Sequence, residues 1–290
     1  MYLARIRSGS SDEVHVAVRM TGQAPGDASD RLVILDDVPN ADPVALVMER
    51  GVEAISEQVR SLVDRGAPVH PADAVIFEPP IASCSKICCL ALNYADHAHE
   101  SQLEVPPRPV LFFKPPSALV GHRAKIRPPS CTRHVEHEVE LGVVIGRRAR
   151  DVPADQWQNV VAGYTVINDL TARDLQVASM QRGEPWDRSK CFDTFAPIGP
   201  YLVTPDDVGD PENLDLRLEI GGQVRQSANT SQMVFKLSSL IADLTDGMTL
   251  LPGDVIATGT TAGIAPVRDG DVMRASVQNV GVLENQVAWA

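Results

Sequence analysis

Three glutamates alternate along one short segment of this chain, just before an apolar run. The segment "HVEHEVELGVVIG" covers residues 134–146 and holds Glu136, Glu138 and Glu140. Successive side chains of a β-strand point to opposite faces, so the three carboxylates would all point the same way. Like charges on one face repel each other, and burying an unpaired carboxylate is costly. The pattern therefore predicts a positive group beside this strand.

A further carboxylate could share a cation with two of these glutamates. Asp169 ends a predicted strand over 160–168 and precedes a predicted helix. Glu138 and Glu140 would lie about 7 Å apart along the backbone, near enough for their oxygens to hold one ion. Such all-oxygen ligation suits Mg²⁺, Mn²⁺ or Ca²⁺ and disfavours zinc. The spacing equally fits a solvated strand face paired with lysines, with Asp169 as a helix N-cap.

The other polar residues of this segment are expected to be incidental. His134 and His137 fall on opposite strand faces, and no H-E-x-x-H order is present. We therefore expect both histidines on loops or at the surface, and Glu136 at the solvated end of the row.

A histidine and a glutamate in "LNYADHAHE" form a second candidate set. On a predicted helix over 94–101, His97 and Glu100 are three residues apart and hence neighbours on its surface. A carboxylate beside an imidazole orients and charges it, which is how a base for a water molecule is built. The alternative is an ordinary exposed polar helix face.

Cationic and amide side chains near the predicted loops form a third set. They are Lys114 in "LFFKPPS", Arg173 in the helix after Asp169, Lys190 in "DRSKCFDTFAP", and Gln176 one turn beyond Arg173. Together they could hold a substrate carboxylate or stabilise an oxyanion. Each by itself is usually a surface residue or a salt-bridge partner.

The composition limits the classes of partner. The chain has 290 residues and a formal net charge of -12, which argues against nucleic acid or an anionic membrane. A small anionic substrate stays possible, because a local cation can override the global sign. We see no signal peptide and no apolar run long enough to span a membrane. The odd count of five cysteines matches no disulfide framework or zinc motif, which favours a reducing cytoplasm.

The elements that must position these residues fall into two predicted regions. Residues 1–80 are expected to form a small N-terminal domain with short strands and one helix. Asp42 suits its N-cap, Pro43 its first turn and Gly66 its end. Residues 81–290 carry many short strands and few helices, which predicts an α+β, β-rich barrel, roll or sandwich.

The predicted elements of the second region are short. Strands are expected at 86–92, 110–114, 138–146, 160–168, 198–203, 214–220, 254–258, 271–278 and 282–288. Helices are expected at 94–101, 171–182 and 238–246.

Six motifs in a fixed order resemble the fumarylacetoacetate hydrolase family. They are "KICCLALNYADHAHE", "VLFFKPPSALVG", "HEVELGVVIG", "VAGYTVINDLTARDLQ", "KCFDTFAPIGPYLVT" and "LPGDVIATGT". The likeness covers about residues 82–290. It implies a mixed β-roll, barrel-like catalytic domain, a small N-terminal α/β domain, a homodimer and a divalent metal, Mg²⁺ or Mn²⁺.

The resemblance also implies roles for matched positions. Glu138, Glu140 and Asp169 would bind the metal, and His97 with Glu100 would activate water. Further matched positions lie near the substrate in the family: Lys190, Gln176, Arg173, Lys114 and Thr260. The sequence departs from the family's "TGTP-x-G" pattern, because Thr261 stands where proline is common.

These roles predict a catabolic enzyme for a small anionic 2-oxo acid or dicarbonyl compound. The main expectation is a metal-dependent hydrolase that cleaves a carbon–carbon bond in an acylpyruvate or related 1,3-dicarbonyl acid. The alternative is a decarboxylase, isomerase or hydratase of a 2-oxo (enol) diacid, because the same enolate stabilisation serves those reactions. A non-enzymatic metal-binding protein is the third possibility, and the full set of candidate residues argues against it.

Overall fold

The computed structural model describes residues 1–8, 12–21, 25–35 and 41–289. Its strands are β1 (Tyr2–Ser8), β2 (His15–Thr21), β3 (Arg31–Ile34), β4 (Val69–Pro71), β5 (Val75–Glu78), β6 (Ile87–Ala91), β7 (Val110–Lys114), β8 (Leu119–Val120), β9 (Lys125–Ile126), β10 (Val135–Glu136), β11 (Val139–Ile145), β12 (Val161–Asn168), β13 (Thr171–Ala172), β14 (Ala196–Val203), β15 (Asp215–Ile220), β16 (Gln223–Asn229), β17 (Val255–Ala257), β18 (Val272–Val277) and β19 (Gly281–Val287). Its α-helices are α1 (Pro43–Asp64), α2 (Ala95–Glu100), α3 (Arg173–Arg182), α4 (Pro205–Val208) and α5 (Leu237–Thr245).

The largest sheet joins the N-terminal strands to strands from the middle of the sequence. Its strand order is β4-β3-β2-β1-β14-β12-β11-β17-β6-β7, with β5 also on β1 and β8 also on β14. The first strand pairs directly with β14, through Tyr2 opposite Val203 and Leu3 opposite Leu202. The N-terminal strands therefore extend the sheet that carries the later motifs, and the division near residue 80 stays a prediction.

The centre of this sheet is buried on both faces. Every residue of β11, β12 and β14 is buried, which explains why these segments read as near-continuous apolar runs. A second sheet has the order β16-β15-β18-β19-β9 and packs beside the first. Within the described residues neither sheet closes into a barrel. The predicted α+β, β-rich fold is confirmed, and the strand order of its sheets is open.

Local sequence patterns predict most of the helices and strands but miss strand β16, which carries a buried residue of the candidate site. The nine predicted strands and three predicted helices after residue 80 all occur, each within two residues of the expected bounds. Strand β16 was not predicted, because "QVRQSAN" is polar and lies at the sheet edge, where apolar alternation is not needed. No helix in the described ranges is long and apolar enough to cross a membrane.

Helix α1 begins as the sequence predicts. The Asp42 side chain accepts a hydrogen bond from the Val44 N–H at 3.0 Å, and Pro43 occupies the first turn. Gly51, with φ of 78°, interrupts the helix, which ends before Gly66. The helix packs against the N-terminal strands and lies outside the candidate site.

Candidate metal centre and active site

Three carboxylates meet where β11 and β12 are paired. The antiparallel register places Val139 opposite Asn168, so Asp169 comes beside Glu138 and its N–H donates to the Glu138 carbonyl at 2.8 Å. Oxygens of Glu138, Glu140 and Asp169 lie within 4.8 Å of one another. All three side chains are buried. The predicted juxtaposition is present, and its all-carboxylate donor set fits a hard divalent cation.

Two cations compensate part of this buried negative charge. The Lys190 Nζ lies 2.8 Å from Glu138 Oε2 and 2.7 Å from Asp169 Oδ2. Burial alone would raise the pKa of Glu138, but Lys190 and Arg173 outweigh it and hold this pKa well below its usual range. The Lys190 pKa is raised in turn, because Asp169 and Glu138 outweigh the effect of burial.

Glu140 is less well compensated. Its Oε2 accepts a 2.7 Å hydrogen bond from the Gly259 N–H, and it forms no ion pair with the described residues. Burial, followed by repulsion from Asp169 and Glu138, raises its pKa well above the usual value. A divalent cation between the three carboxylates would remove that repulsion, so the residues present fit a metal.

Lys114 contacts Asp169 without facing the cavity. Its Nζ is 2.7 Å from Asp169 Oδ1 and donates to the carbonyls of Leu170, Lys190 and Phe195 at 3.0, 2.7 and 2.7 Å. The side chain is buried and does not line the cavity in front of the carboxylates. This position favours holding Asp169 over touching a substrate.

Arg173 joins two of the alternating glutamates. Its Nε is 2.7 Å from Glu136 Oε2, its Nη2 is 2.6 Å from Glu138 Oε1, and its Nη1 donates to Gln176 Oε1. Glu136 is buried, with its carboxylate also 2.8 Å from the His134 ring. The expectation that Glu136 is a solvated end of the row is wrong, because Arg173 neutralises it inside the cavity wall.

One cavity of about 490 Å³ opens over the carboxylates. His97 and Glu100 lie on its wall together with the other cavity-facing candidates, Gln176, Arg173, Lys190 and Thr260. The His97 Nδ1 is 3.6 Å from Glu100 Oε2, slightly beyond a hydrogen bond. The Gly263 N–H donates to both Glu100 oxygens, at 3.0 and 3.1 Å. The structure thus brings the predicted pair to the same cavity as the three carboxylates.

A buried glutamine on the unpredicted strand β16 was missed by the sequence analysis. The Gln226 Oε1 accepts from the Val139 N–H at 3.1 Å and lies 2.9 Å from His137 Nδ1. Its Nε2 donates to Thr260 Oγ1 at 2.8 Å and to the Thr261 carbonyl at 2.9 Å. His137 lies on the segment between β10 and β11, which agrees with the expected loop position, but it is fully buried and not at the surface. Without a predicted strand here, no signal pointed to Gln226.

Asn93 is a second missed residue, and it anchors the start of α2. Its Nδ2 donates to the Thr258 carbonyl at 2.7 Å, and its Oδ1 accepts from the Phe235 N–H at 2.7 Å. Gly259 packs so closely that a Cβ there would lie 2.8 Å from the Asn93 Cβ. The "LNY" and "TGT" motifs are therefore fixed to each other, which sets where His97 stands relative to Glu140.

The family follows from the fold, the site and a direct match. The model of the fumarylacetoacetate (FAA) hydrolase C-terminal domain matches residues 86–288. This chain belongs to the fumarylacetoacetate hydrolase family. The predicted family is confirmed.

Known relatives within this family catalyse several reactions. The chain is 37% identical over 296 residues to oxaloacetate tautomerase Fahd2a, mitochondrial, of Rattus norvegicus, covering 99% of this chain and 91% of that protein. It resembles the structure of 5-carboxymethyl-2-hydroxymuconate delta-isomerase from Mycobacterium smegmatis, at 33% identity and a TM-score of 0.77, over 100% of each chain. It also resembles maleylpyruvate hydrolase from Sphingobium sp. SYK-6 in complex with manganese (II) ion and pyruvate, at 30% identity and a TM-score of 0.79, over 100% of each chain.

Proposed function

We propose that this protein is a divalent-metal-dependent hydrolase that cleaves a carbon–carbon bond in an acylpyruvate or related 1,3-dicarbonyl acid. One observation carries the proposal. The buried set of Glu138, Glu140 and Asp169 lies at the base of a cavity that also holds His97 and Glu100. The cavity thus combines oxygen ligands for a metal with a base for a water molecule. The solved relative with manganese and pyruvate supports the pairing of such a metal with a 2-oxo acid.

In this proposal the metal-binding carboxylates and the pair of His97 and Glu100 have different roles. Mg²⁺ or Mn²⁺ held by Glu138, Glu140 and Asp169 would supply a Lewis acid and a template for two substrate oxygens. Ca²⁺ fits the same donor types. Because Nδ1 of His97 faces Glu100, Nε2 is the ring nitrogen left to take a proton from water. The resulting hydroxide attacks the distal carbonyl carbon.

Other cavity residues stabilise the negative charge that develops on the substrate. Lys190 and Gln176 are the donors for the oxyanion formed at the attacked carbonyl. When the carbon–carbon bond breaks, its electron pair leaves with the pyruvate carbon. His97 returns its proton there, so that one water is consumed and pyruvate and a carboxylic acid are formed. Glu100 keeps the imidazole oriented through both transfers.

A second candidate is the isomerisation of a 2-oxo (enol) diacid. The rat oxaloacetate tautomerase is similar over 99% of this chain, which includes the N-terminal segment. Tautomerisation needs a proton moved between carbon and oxygen, and His97 suffices for that without an attacking water. Decarboxylation of an oxaloacetate-like acid needs the same enolate stabilisation. A protein that only binds metal is the least supported candidate.

One ultraviolet assay separates these candidates. Purified protein, with Mg²⁺ or Mn²⁺ and separately with a chelator, is given a set of acylpyruvates and oxaloacetate. Metal-dependent loss of the acylpyruvate enol with stoichiometric pyruvate is the expected result. Faster exchange of the oxaloacetate enol without pyruvate would replace hydrolase by tautomerase, and pyruvate with carbon dioxide would replace it by decarboxylase. Metal binding without turnover of any of them would contradict the enzymatic proposal.

The assembly and location of the protein also stay proposals. The homodimer implied by the family can be tested by light scattering on purified protein, where a monomer mass would contradict it. The cytoplasmic location can be tested by fractionating cells that express the full chain.

A further inference from the structure

One face of helix α3 borders the cavity and changes character along its length. The cavity-lining residues of this helix are Arg173, Gln176, Val177 and Met180. Their spacing of three, four and seven residues puts them on a single face, which rises about 10 Å from the first to the last. Arg173 at the near end contacts Glu138, whereas the two residues at the far end are apolar. Polarity therefore falls with distance from the carboxylates.

Packing does not explain the apolar end of this face. No residue of α3 is buried, and Val177 and Met180 are 44% and 43% exposed. Leu103, on the segment after α2, is 39% exposed and also lines the cavity. Adjacent exposed apolar side chains at the rim of a cavity mark a surface that binds an apolar group.

Further apolar residues line the same cavity. They are Val110 and Phe112 of β7, Trp186 and Ile264. A substrate group that extends away from the carboxylates would therefore contact hydrocarbon from several segments of the chain.

The charges of the cavity disfavour a second substrate carboxylate. Among the described lining residues the Lys and Arg side chains are Arg173 and Lys190. Arg173 pairs with Glu136 and Glu138, and Lys190 pairs with Glu138 and Asp169. Acidic residues outnumber these two cations in the lining. A distal carboxylate would therefore meet no unpaired Lys or Arg side chain among the described lining residues.

We infer that the substrate of this protein carries an uncharged apolar group at the end distant from its 2-oxo acid. Val177, Met180 and Leu103 form the site for that group, together with Phe112 and Trp186 of the same cavity lining. This inference rests on the proposed function, in which the carboxylates hold the metal that chelates the 2-oxo acid. It assigns the protein to monocarboxylic acylpyruvates with an aliphatic or aryl acyl group.

Binding of three 2-oxo acids that cannot be hydrolysed tests the inference without turnover. Isothermal calorimetry on the full chain saturated with Mn²⁺ compares pyruvate, 2-oxooctanoate and 2-oxosuberate. The two longer acids have equal chain length and differ in ending in a methyl group or a carboxylate. Each buried methylene contributes about 0.8 kcal/mol, roughly fourfold in affinity. We expect 2-oxooctanoate to bind at least about tenfold more tightly than either pyruvate or 2-oxosuberate.

A positive charge placed on α3 should weaken this preference. In Val177→Lys the new ammonium offers a partner to the distal carboxylate, so the ratio of the two affinities should fall at least about fivefold. Val224→Lys is the matched control, because Val224 is 45% exposed and lies on β16 outside the cavity. Met180→Lys repeats the test should Val177→Lys be poorly folded.

The outcomes separate the inference from the proposed function. If pyruvate binds with Mn²⁺ but 2-oxosuberate binds as tightly as 2-oxooctanoate, the apolar site is wrong and the metal-chelated 2-oxo acid stands. If the ratio of the 2-oxooctanoate and 2-oxosuberate affinities is unchanged in Val177→Lys and in Met180→Lys, the apolar site is also wrong. If none of the three acids binds in the presence of Mn²⁺, the proposed function is wrong and the inference is overturned with it.

Discussion

The residues with the strongest electrostatic constraints are the three clustered carboxylates. Glu138 accepts from Lys190 and Arg173, while Glu140 and Asp169 complete the set. A neutral amide keeps two polar atoms at the same place but removes the charge that a divalent ion needs. A Glu→Gln substitution therefore tests metal binding with a side chain of nearly the same shape.

Glu138→Gln should weaken Mn²⁺ binding by more than about tenfold, or ~1.4 kcal/mol, and abolish metal-dependent turnover. The unfolding temperature should also fall, because Lys190 and Arg173 lose a buried ionic partner, but the chain should still fold. Calorimetric titration with Mn²⁺ measures the affinity. Glu104→Gln is the control, since Glu104 is exposed outside the cavity. Wild-type affinity in Glu138→Gln would refute the metal assignment.

His97 can be tested against a histidine on the same helix. His97 is buried in the cavity wall, whereas His99 is exposed. His97→Ala should lower the rate of hydrolysis about 10²–10⁴-fold, the usual contribution of a general base, and leave the Mn²⁺ affinity unchanged. His99→Ala should keep the wild-type rate. Equal rates in wild type and His97→Ala would remove His97 as the base.

At the scale of elements, strand β16 fixes the position of the cavity wall. Gln226 ties it to β11 through the Val139 N–H and to the following loop through Thr260 and Thr261. Because the Thr260 hydroxyl in turn donates to the Val139 carbonyl at 2.9 Å, hydrogen bonds connect the loop directly to β11. Gln226 is therefore a positioning residue.

Gln226→Leu should lower the free energy of unfolding by about 1–3 kcal/mol, because it leaves buried polar groups unsatisfied. We also expect KM to rise as Thr260 loses its anchor. Urea unfolding and steady-state kinetics give the two values. Gln223→Leu, on an exposed position of the same strand, should change neither. A stability equal to wild type would show that the network is dispensable.

At the scale of the whole molecule, His122 joins the segment between β8 and β9 to strands β5 and β19. Its ring packs edge-on to Phe77 of β5, with centroids 5.1 Å apart, and its Nδ1 accepts from the Glu284 N–H of β19 at 3.1 Å. Burial, and then the nearby Arg123 and Arg274, lower its pKa from 6.5 to about 3. His122 is thus neutral in the folded protein under conditions where an unfolded chain would protonate it.

This difference predicts an acid-sensitive stability. In the unfolded state His122 is protonated below about pH 6.5. In the folded state it is protonated only below about pH 3. Stability is therefore lost as the pH falls through that window, by about 2 kcal/mol between pH 7 and pH 5. Urea unfolding at both pH values should show a smaller loss for His122→Gln than for wild type or the exposed control His99→Gln. Equal losses would contradict the assignment.

The sequence by itself determined the local pattern of the candidate site. Period-two spacing put Glu138 and Glu140 on one side of a strand, and apolar runs located β11 and β12 to within two residues. The order of motifs indicated the family. Such signals are contained in a few neighbouring residues, so they can be read without knowing what lies across the fold.

Only the tertiary structure decided which distant residues meet. The register of β11 on β12 brought Asp169 to Glu138, and the packing of β16 buried Gln226 beside Thr260. Lys114 faces the carbonyls behind Asp169 instead of the cavity. These contacts depend on strand register and on sheet packing between segments far apart in sequence. No local period encodes either of them, because each is set by the free energy of the assembled core.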